Sequence, residues 1–448
     1  MKLKTSTLLI AGTLLGAAAI PAQANNDAIV DLLKVLRDQD TITAENYELL
    51  VNAAKADQEA VEAIKVDAEK GANPDVKITT KGKLKFEDKD GNWSFQPIGR
   101  VMWDVVSVDS DTNAHDDFNG TELRRARLGF EGKVYDWGYK FEGDFAGGNT
   151  AIKDAFVSYG KKVGDNKLGF KLGQSQIAFG FNTAASSKYM TFLDRPWYAD
   201  SQLSPARESG VAAKLSGKSW SVASSLSSGG LSGGKTDKDI NGTTFALRGT
   251  LVPFKQDKTH LVQVGAGYMN ISNAANGFNY GGQHLVAHKD NTKIDTLTIS
   301  EADYDGSDAF QVDAVGIFGP LHALAEYNNY SAGSKAATGD INFDSYSVET
   351  GYFLTGESMK LKHGLWSGVS PKSSTGAWQI AARFESINID DGIVGDDEAK
   401  KWTVGLNYYP TKNIRLMLNY DKVTAWKQAG VDQNAEPSAV KLRVQAKW

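Results

Sequence analysis

The last eleven residues, 438–448, read SAVKLRVQAKW. Successive side chains of an extended strand point to opposite faces, so Val440, Leu442, Val444, Ala446 and Trp448 share one face and Lys441, Arg443, Gln445 and Lys447 the other. Such a strand divides an apolar medium from water. Alone it suits any sheet with one buried face; its repetition makes it decisive. FQPIGRVMWDVVSV (95–108) sets Arg100 and Asp104 against Val101, Trp103 and Val105, and TELRRARLGFEGKVY (121–135) sets Arg125, Arg127, Glu131 and Lys133 against Ala126, Leu128, Phe130 and Val134. YKFEGDF (139–145), KLGFKLG (167–173), TFALRGTL (244–251), WQIAARFE (378–385), KWTVGLNYY (401–409) and IRLMLNYD (414–421) repeat the device.

The connections alternate in length. DWG, VGDN, SGKS, PFKQDK, FGP and PTKN are tight, whereas 108–120, 182–208, 227–241, 272–308, 386–399 and 425–437 are long. Tight turns at one end and long loops at the other are how an outer-membrane barrel is built. Strands are expected near 95, 121, 138, 151, 167, 209, 219, 242, 259, 309, 321, 342, 376, 400, 413 and 438. That count of sixteen requires 355–375 (TGESMKLKHGLWSGVSPKSST) to be one long turn; a hairpin hidden there gives eighteen. The expected fold is an all-β membrane barrel of about 16 antiparallel strands over 95–448, closed so that no strand edge is open to hydrocarbon.

The N-terminus places the chain outside the cytoplasm. Lys2 and Lys4 precede the apolar run LLIAGTLLGAAAI, and AQA ends at Ala24, the pattern of a cleaved signal peptide over 1–24. Loss of those two lysines takes the formal net charge from −5 to −7, so no nucleic-acid partner is expected. The chain has no cysteine and therefore no disulfide staple. Residues 25–72 lack glycine before Gly71 and carry the stripes Ile29, Leu32, Leu33, Leu36 and Tyr47, Leu50, Val51, Ala54, with Thr41 as a candidate cap between them. They read as a short helical coiled coil on the periplasmic side, joined to the barrel by a linker at 73–94.

With every polar strand face turned to the lumen, fourteen basic residues point inward, including Arg100, Arg125, Arg127 and Lys133, against nine acids. The other acids concentrate in the long loops. A wall lined by an excess of one charge in a low-dielectric surround concentrates the opposite ion, so the lumen should favour anions. The competing reading is that arginines and acids pair across the barrel and leave no net field. The loop NTAASSKYMTFLDRPWYADSQLSPARE (182–208) is long enough to fold inward; its bases are Lys188, Arg195 and Arg207, with Asp194, Asp200 and Glu208 as counter-charges.

RRARLGFEGKVYDWGYKFEGDFAGG, IKDAFVSYG, KLGQSQIAFGFNTAASSKYMTFLDRP, GAWQIAARFE and VGLNYYPTKNIRLMLNY together resemble the phosphate-selective porin O/P family of Gram-negative outer membranes. The resemblance spans roughly 95–448, and the N-terminal helices resemble that family's periplasmic coiled coil. It implies a sixteen-stranded homotrimer, embedded in outer-membrane lipid, that passes inorganic phosphate or polyphosphate, or other small anions, by passive diffusion. It also implies roles for residues: Arg124, Arg125 and Arg127 match the family's RRAR strand, an electrostatic ladder, and Lys188 matches the lysine of its SSK segment at the constriction. Trp448 stands where phenylalanine is usual.

Other signals point elsewhere only weakly. GLSGG (230–234) fits a hydrolase nucleophile elbow but sits in a Ser/Gly-rich loop without strand, turn and helix around it. DSDTNAHDDFNG has Ala114 where a calcium loop needs glycine and Gly120 where it needs its bidentate acid. His284 and His288 lie in the longest loop. No enzyme, cofactor or metal is expected, and an adhesin or wall anchor would want a longer coiled coil. A general, non-specific porin is the alternative function.

Overall fold

The computed structural model of the chain describes residues 76–448 apart from 81, 112–116, 149, 201–202, 204, 230–241, 273–276, 281–283, 288–292, 295, 337–338, 391 and 393–395, together with 33–34, 37–39, 42–53 and 55–56. The segment read as a signal peptide and the GLSGG stretch lie outside the described residues, as do residues 112–116 of the calcium-like loop, Thr41 and His288. The chain divides into two compact units, Met1–Val76 and Lys77–Trp448. In the first, residues 44–50 are helical, and the hydroxyl of Thr43 accepts a hydrogen bond from the Asn46 amide at 3.2 Å. The described cap is thus Thr43, two residues beyond the threonine expected from sequence. The Arg37 guanidinium lies 4.6 Å from the centre of the Tyr47 ring.

The second unit is a closed barrel of sixteen antiparallel strands: β1 (Trp93–Asp109), β2 (Phe118–Val134), β3 (Trp137–Asp144), β4 (Ala151–Val163), β5 (Asn166–Gln176), β6 (Arg207–Ser216), β7 (Trp220–Ser228), β8 (Thr243–Lys255), β9 (His260–Ser272), β10 (Tyr304–Phe318), β11 (Leu321–Ser334), β12 (Ile341–Phe353), β13 (Ala377–Asp390), β14 (Asp397–Tyr409), β15 (Ile414–Gln428) and β16 (Ser438–Lys447). Each strand pairs with its neighbours in sequence, and β16 pairs with β1 from Ser438↔Asp109 to Lys447↔Arg100. The opening stretch therefore closes the wall. Backbone bonds between Trp448 and Gly99 finish the seam, and the Trp448 ring covers Gly99, where a β-carbon would meet it at 2.2 Å.

Along β16, Val440 and Leu442 are exposed on the outer face while Lys441, Arg443 and Gln445 are buried inside. The same alternation runs round the barrel. Outward rings collect near both ends: Trp378 stacks on Tyr408 at 4.4 Å and Trp137 meets Tyr159 at 5.2 Å toward the tight turns, and Phe384 meets Trp402 at 5.0 Å toward the long loops. An apolar band between aromatic girdles is the outer surface that a bilayer requires.

Residues 354–376 join β12 to β13 as one long turn that contains only a two-residue hairpin, Leu361–Lys362 with Leu365–Trp366, so the count stays at sixteen. This turn folds into the barrel. Gln263 of β9 donates to the Gly364 carbonyl at 2.9 Å, Lys214 of β6 donates to that of His363 at 3.0 Å, and Trp366 packs on Phe181 and His322 at 5.4 and 5.7 Å. The interior is thus not wholly polar. Inward Met102, Val106 and Val108 of β1 are buried, and Phe181, Phe353, Met359, Trp366 and Tyr409 form an apolar cluster inside the wall.

Candidate anion pathway

The segment 177–206 leaves β5 and is bound by side chains from across the barrel. Glu326 of β11 accepts from the Phe181 and Asn182 amides at 2.7 and 3.1 Å, and Glu385 of β13 from the Trp197 amide at 2.9 Å. Arg383 of β13 donates to the Asp194 carbonyl at 2.9 Å, Asn407 of β14 to that of Thr191 at 2.9 Å, Arg415 of β15 to that of Met190 and Arg443 of β16 to that of Leu193. A loop inside a protein must place its backbone polar groups somewhere, and here the inward face of the wall accepts them. Lys441 meets the Asp194 carboxylate at 2.8 Å. Burial alone would raise the Asp194 carboxyl, but the charges of Lys441, Arg443 and Arg124 outweigh it and hold the group well below the usual carboxylate range.

These bonds divide the inward bases. Several are paired with acids: Arg443 with Asp104 at 2.5 Å, Arg248 with Asp313 at 2.7 Å, Lys401 with Glu385 at 3.0 Å, and Lys441 with Asp421. Arg100 meets Glu142 at 2.9 Å and the Ser187 hydroxyl at 2.8 Å. Arg127 bridges Glu142 at 3.1 Å and Asp144 at 2.8 Å, and Arg207 meets Asp154 at 2.8 Å. Arg195 donates to the Asn182 and Ala185 carbonyls of its own loop at 2.8 and 2.7 Å. The competing expectation, that arginines and acids pair, thus applies to many of these residues, but between adjacent or next-but-one strands of the wall and not across the barrel.

Others lack a carboxylate among the described residues. The side chain of Arg125 is buried, and its one hydrogen-bond contact is the Met102 sulfur at 3.7 Å. The strongest charges acting on it belong to Arg124, Arg127, Arg195 and Arg443. Lys171 lies 4.8 Å over the Phe156 ring, and Lys214 is bonded to a carbonyl. Lys167, Lys171 and Lys214 border two adjoining chambers of about 720 and 590 Å³. The wall there is built from Gly160, Gly169, Ala212 and Ala223, whose small side chains leave that space open. Lys133 is half-buried near the turn end of β2. Lys188 and Lys447 flank Tyr189, with ammonium groups 5.9 and 4.2 Å from its ring centre. Burial, aided by the charge of Arg100, pushes the Lys188 ammonium down to about 8.

Strand bulges explain what the alternation missed. Met102 pairs with Arg125 but Trp103 with Leu123, so Arg124 is an extra residue in β2 and the phase slips there. Arg124 consequently lies 3.9 Å from Glu122 and acts on Asp194 inside the barrel, beside Arg125. A second slip, between Glu142 and Gly143, places Lys153 beside the inward Asp154. Neither residue followed from strict alternation. Among the described residues no group of three His, Cys, Asp or Glu side chains could hold a metal ion.

A closed barrel with an apolar outer band, its own loop crossing a charged interior and open chambers beside it is an outer-membrane porin. Residues 95–448 match the model of the family described as phosphate-selective porin O and P, and the chain belongs to that family. Porin O of Pseudomonas aeruginosa is 26% identical over 392 residues, which cover 78% of this chain and 88% of that protein. Among solved structures, the anion-selective porin from Comamonas acidovorans shares the fold with a TM-score of 0.52 at 14% identity, over 80% of this chain and 100% of that one. The trimer form of OmpT from Vibrio cholerae gives a TM-score of 0.52 at 15% identity, over 80% and 99%. The protein is accordingly a porin of the Gram-negative outer membrane.

Proposed function

We propose that this porin prefers anions, with phosphate its best single solute, and that it works as a homotrimer with the N-terminal helices in the periplasm. Its relatives lend support: the family is described as phosphate-selective, one structural neighbour is titled anion-selective and another is a trimer form. The observation that carries the reading is the uneven use of charge. Inward acids are largely taken up by partners, whereas Arg125, Lys167, Lys171 and Lys214 have no carboxylate partner among the described residues. An anion on this path meets Arg124, Arg125 and Arg127 as a ladder, with Lys188 as donor at the loop and the remaining lysines beyond it. Arginine offers an oxyanion two parallel hydrogen bonds, and lysine a mobile point charge. Arg100, Arg195, Arg207 and Lys133 shape the field from their paired or peripheral positions.

Single-channel recording in a planar bilayer under a KCl gradient, followed by addition of phosphate, tests this. A reversal potential on the chloride side with current blocked by phosphate is the expected result. Anion preference without block reduces the function to that of a general anion porin, and cation preference refutes it.

A further inference from the structure

The inward loop is held unevenly along its length. From Met190 to Trp197 it is gripped many times over, by Arg415, Asn407, Arg443, Arg383, Lys441 and Glu385. At its near end, where Gly180 turns the chain off the wall with a φ of +66°, the polar contact from the far wall is Glu326. Its carboxylate accepts from the Phe181 amide at 2.7 Å, the Asn182 amide at 3.1 Å and the Asn182 side chain at 2.8 Å, and the Tyr198 hydroxyl also reaches it. Among the described residues no lysine or arginine forms an ion pair with it.

Glu326 is a costly choice for a packing residue. A carboxylate buried among neutral donors loses hydration that only those donors replace, and it adds negative charge to a lumen read above as attracting anions. What the position gains is geometry: one side chain fastens two consecutive backbone amides of a loop that started on β5, six strands away. Those amides adjoin the open path, since Gln176, Ile177, Ala178 and Ala184 line the chamber of about 590 Å³.

We propose that Glu326 is a positioning residue that sets where the near half of the inward loop stands and, through it, the width and ion preference of the channel. This rests on the porin reading of the barrel. The test compares Glu326→Gln, Glu326→Ala and Asn182→Ala with the parent protein in planar bilayers, after folding is verified by the heat-dependent shift of the barrel on gels. Conductance, open-channel noise and reversal potential are read separately. Both Glu326 variants should show higher conductance, more noise and a reversal potential shifted from the parent's. Asn182→Ala, which removes one of these four contacts, should show a smaller change, and the double variant no more than Glu326→Ala alone. Folded Glu326 variants with the parent's conductance, noise and reversal potential overturn the proposal. If Glu326→Ala fails to fold, the proposal is decided on Glu326→Gln and Asn182→Ala. A parent that prefers cations refutes the anion reading alone, because conductance and noise still report the loop.

Discussion

Replacing Arg125 with methionine separates a structural arginine from one kept for a passing ion. The side chain is 6% exposed, makes a single hydrogen-bond contact among the described residues, to sulfur, and feels mainly the charges of four other arginines. An ion buried without a partner carries a desolvation penalty of several kcal/mol, and replacing even a buried ion pair by apolar side chains of similar volume is often neutral or stabilising by about 1–4 kcal/mol, so an unpaired charge should give at least about 1 kcal/mol. Methionine fills the same narrow space beside Met102. At roughly 2–4 °C per kcal/mol for a domain of a few hundred residues, Arg125→Met should raise the thermal midpoint in detergent by at least about 2 °C. Phosphate makes the comparison sharper. A ligand at about 100 times its Kd stabilises the folded state by about 2.7 kcal/mol, so the parent's midpoint should rise with phosphate and the variant's should rise much less. The assay is heat-dependent gel mobility or circular dichroism in detergent, with and without phosphate at constant ionic strength. A lower midpoint in Arg125→Met, together with an undiminished phosphate response, would show that Arg125 holds the barrel together and refute the reasoning.

Two further predictions concern the lysines. Lys188, held down to about 8, is mostly charged at pH 7 and mostly neutral at pH 9, so anion selectivity should fall across that interval; reversal potentials in Lys188→Ala should start lower and change less. Lys171 and Lys214 border open space and have no carboxylate partner among the described residues. Neutralising both should lower conductance markedly at about 0.01 M KCl, where the Debye length is about 30 Å, and little at about 1 M, where it is about 3 Å. Equal loss at both concentrations would mean that the substitutions had narrowed the channel instead.

The barrel was legible in the sequence because its two solvents write themselves into alternate residues. VKLRVQAKW needs no knowledge of its neighbours to declare one apolar and one polar face, and lengths such as FGP against 272–308 distinguish the two ends. The inside was less legible, for a physical reason. A polar face states that a side chain points inward; it does not state whether water, an acid or a backbone carbonyl awaits it. Arg383, Arg415 and Arg443 look like Arg125 in sequence, yet they bind carbonyls of a loop that approaches from far along the chain. Alternation also carries no record of a slip. At Arg124 and at Lys153 the pairing advances by one residue, and the evidence for each slip lies in hydrogen bonds to the adjacent strand. A bulge costs little locally and redirects every side chain beyond it, so the charge arrangement of a barrel interior is decided by pairing between strands as much as by the composition of any one of them.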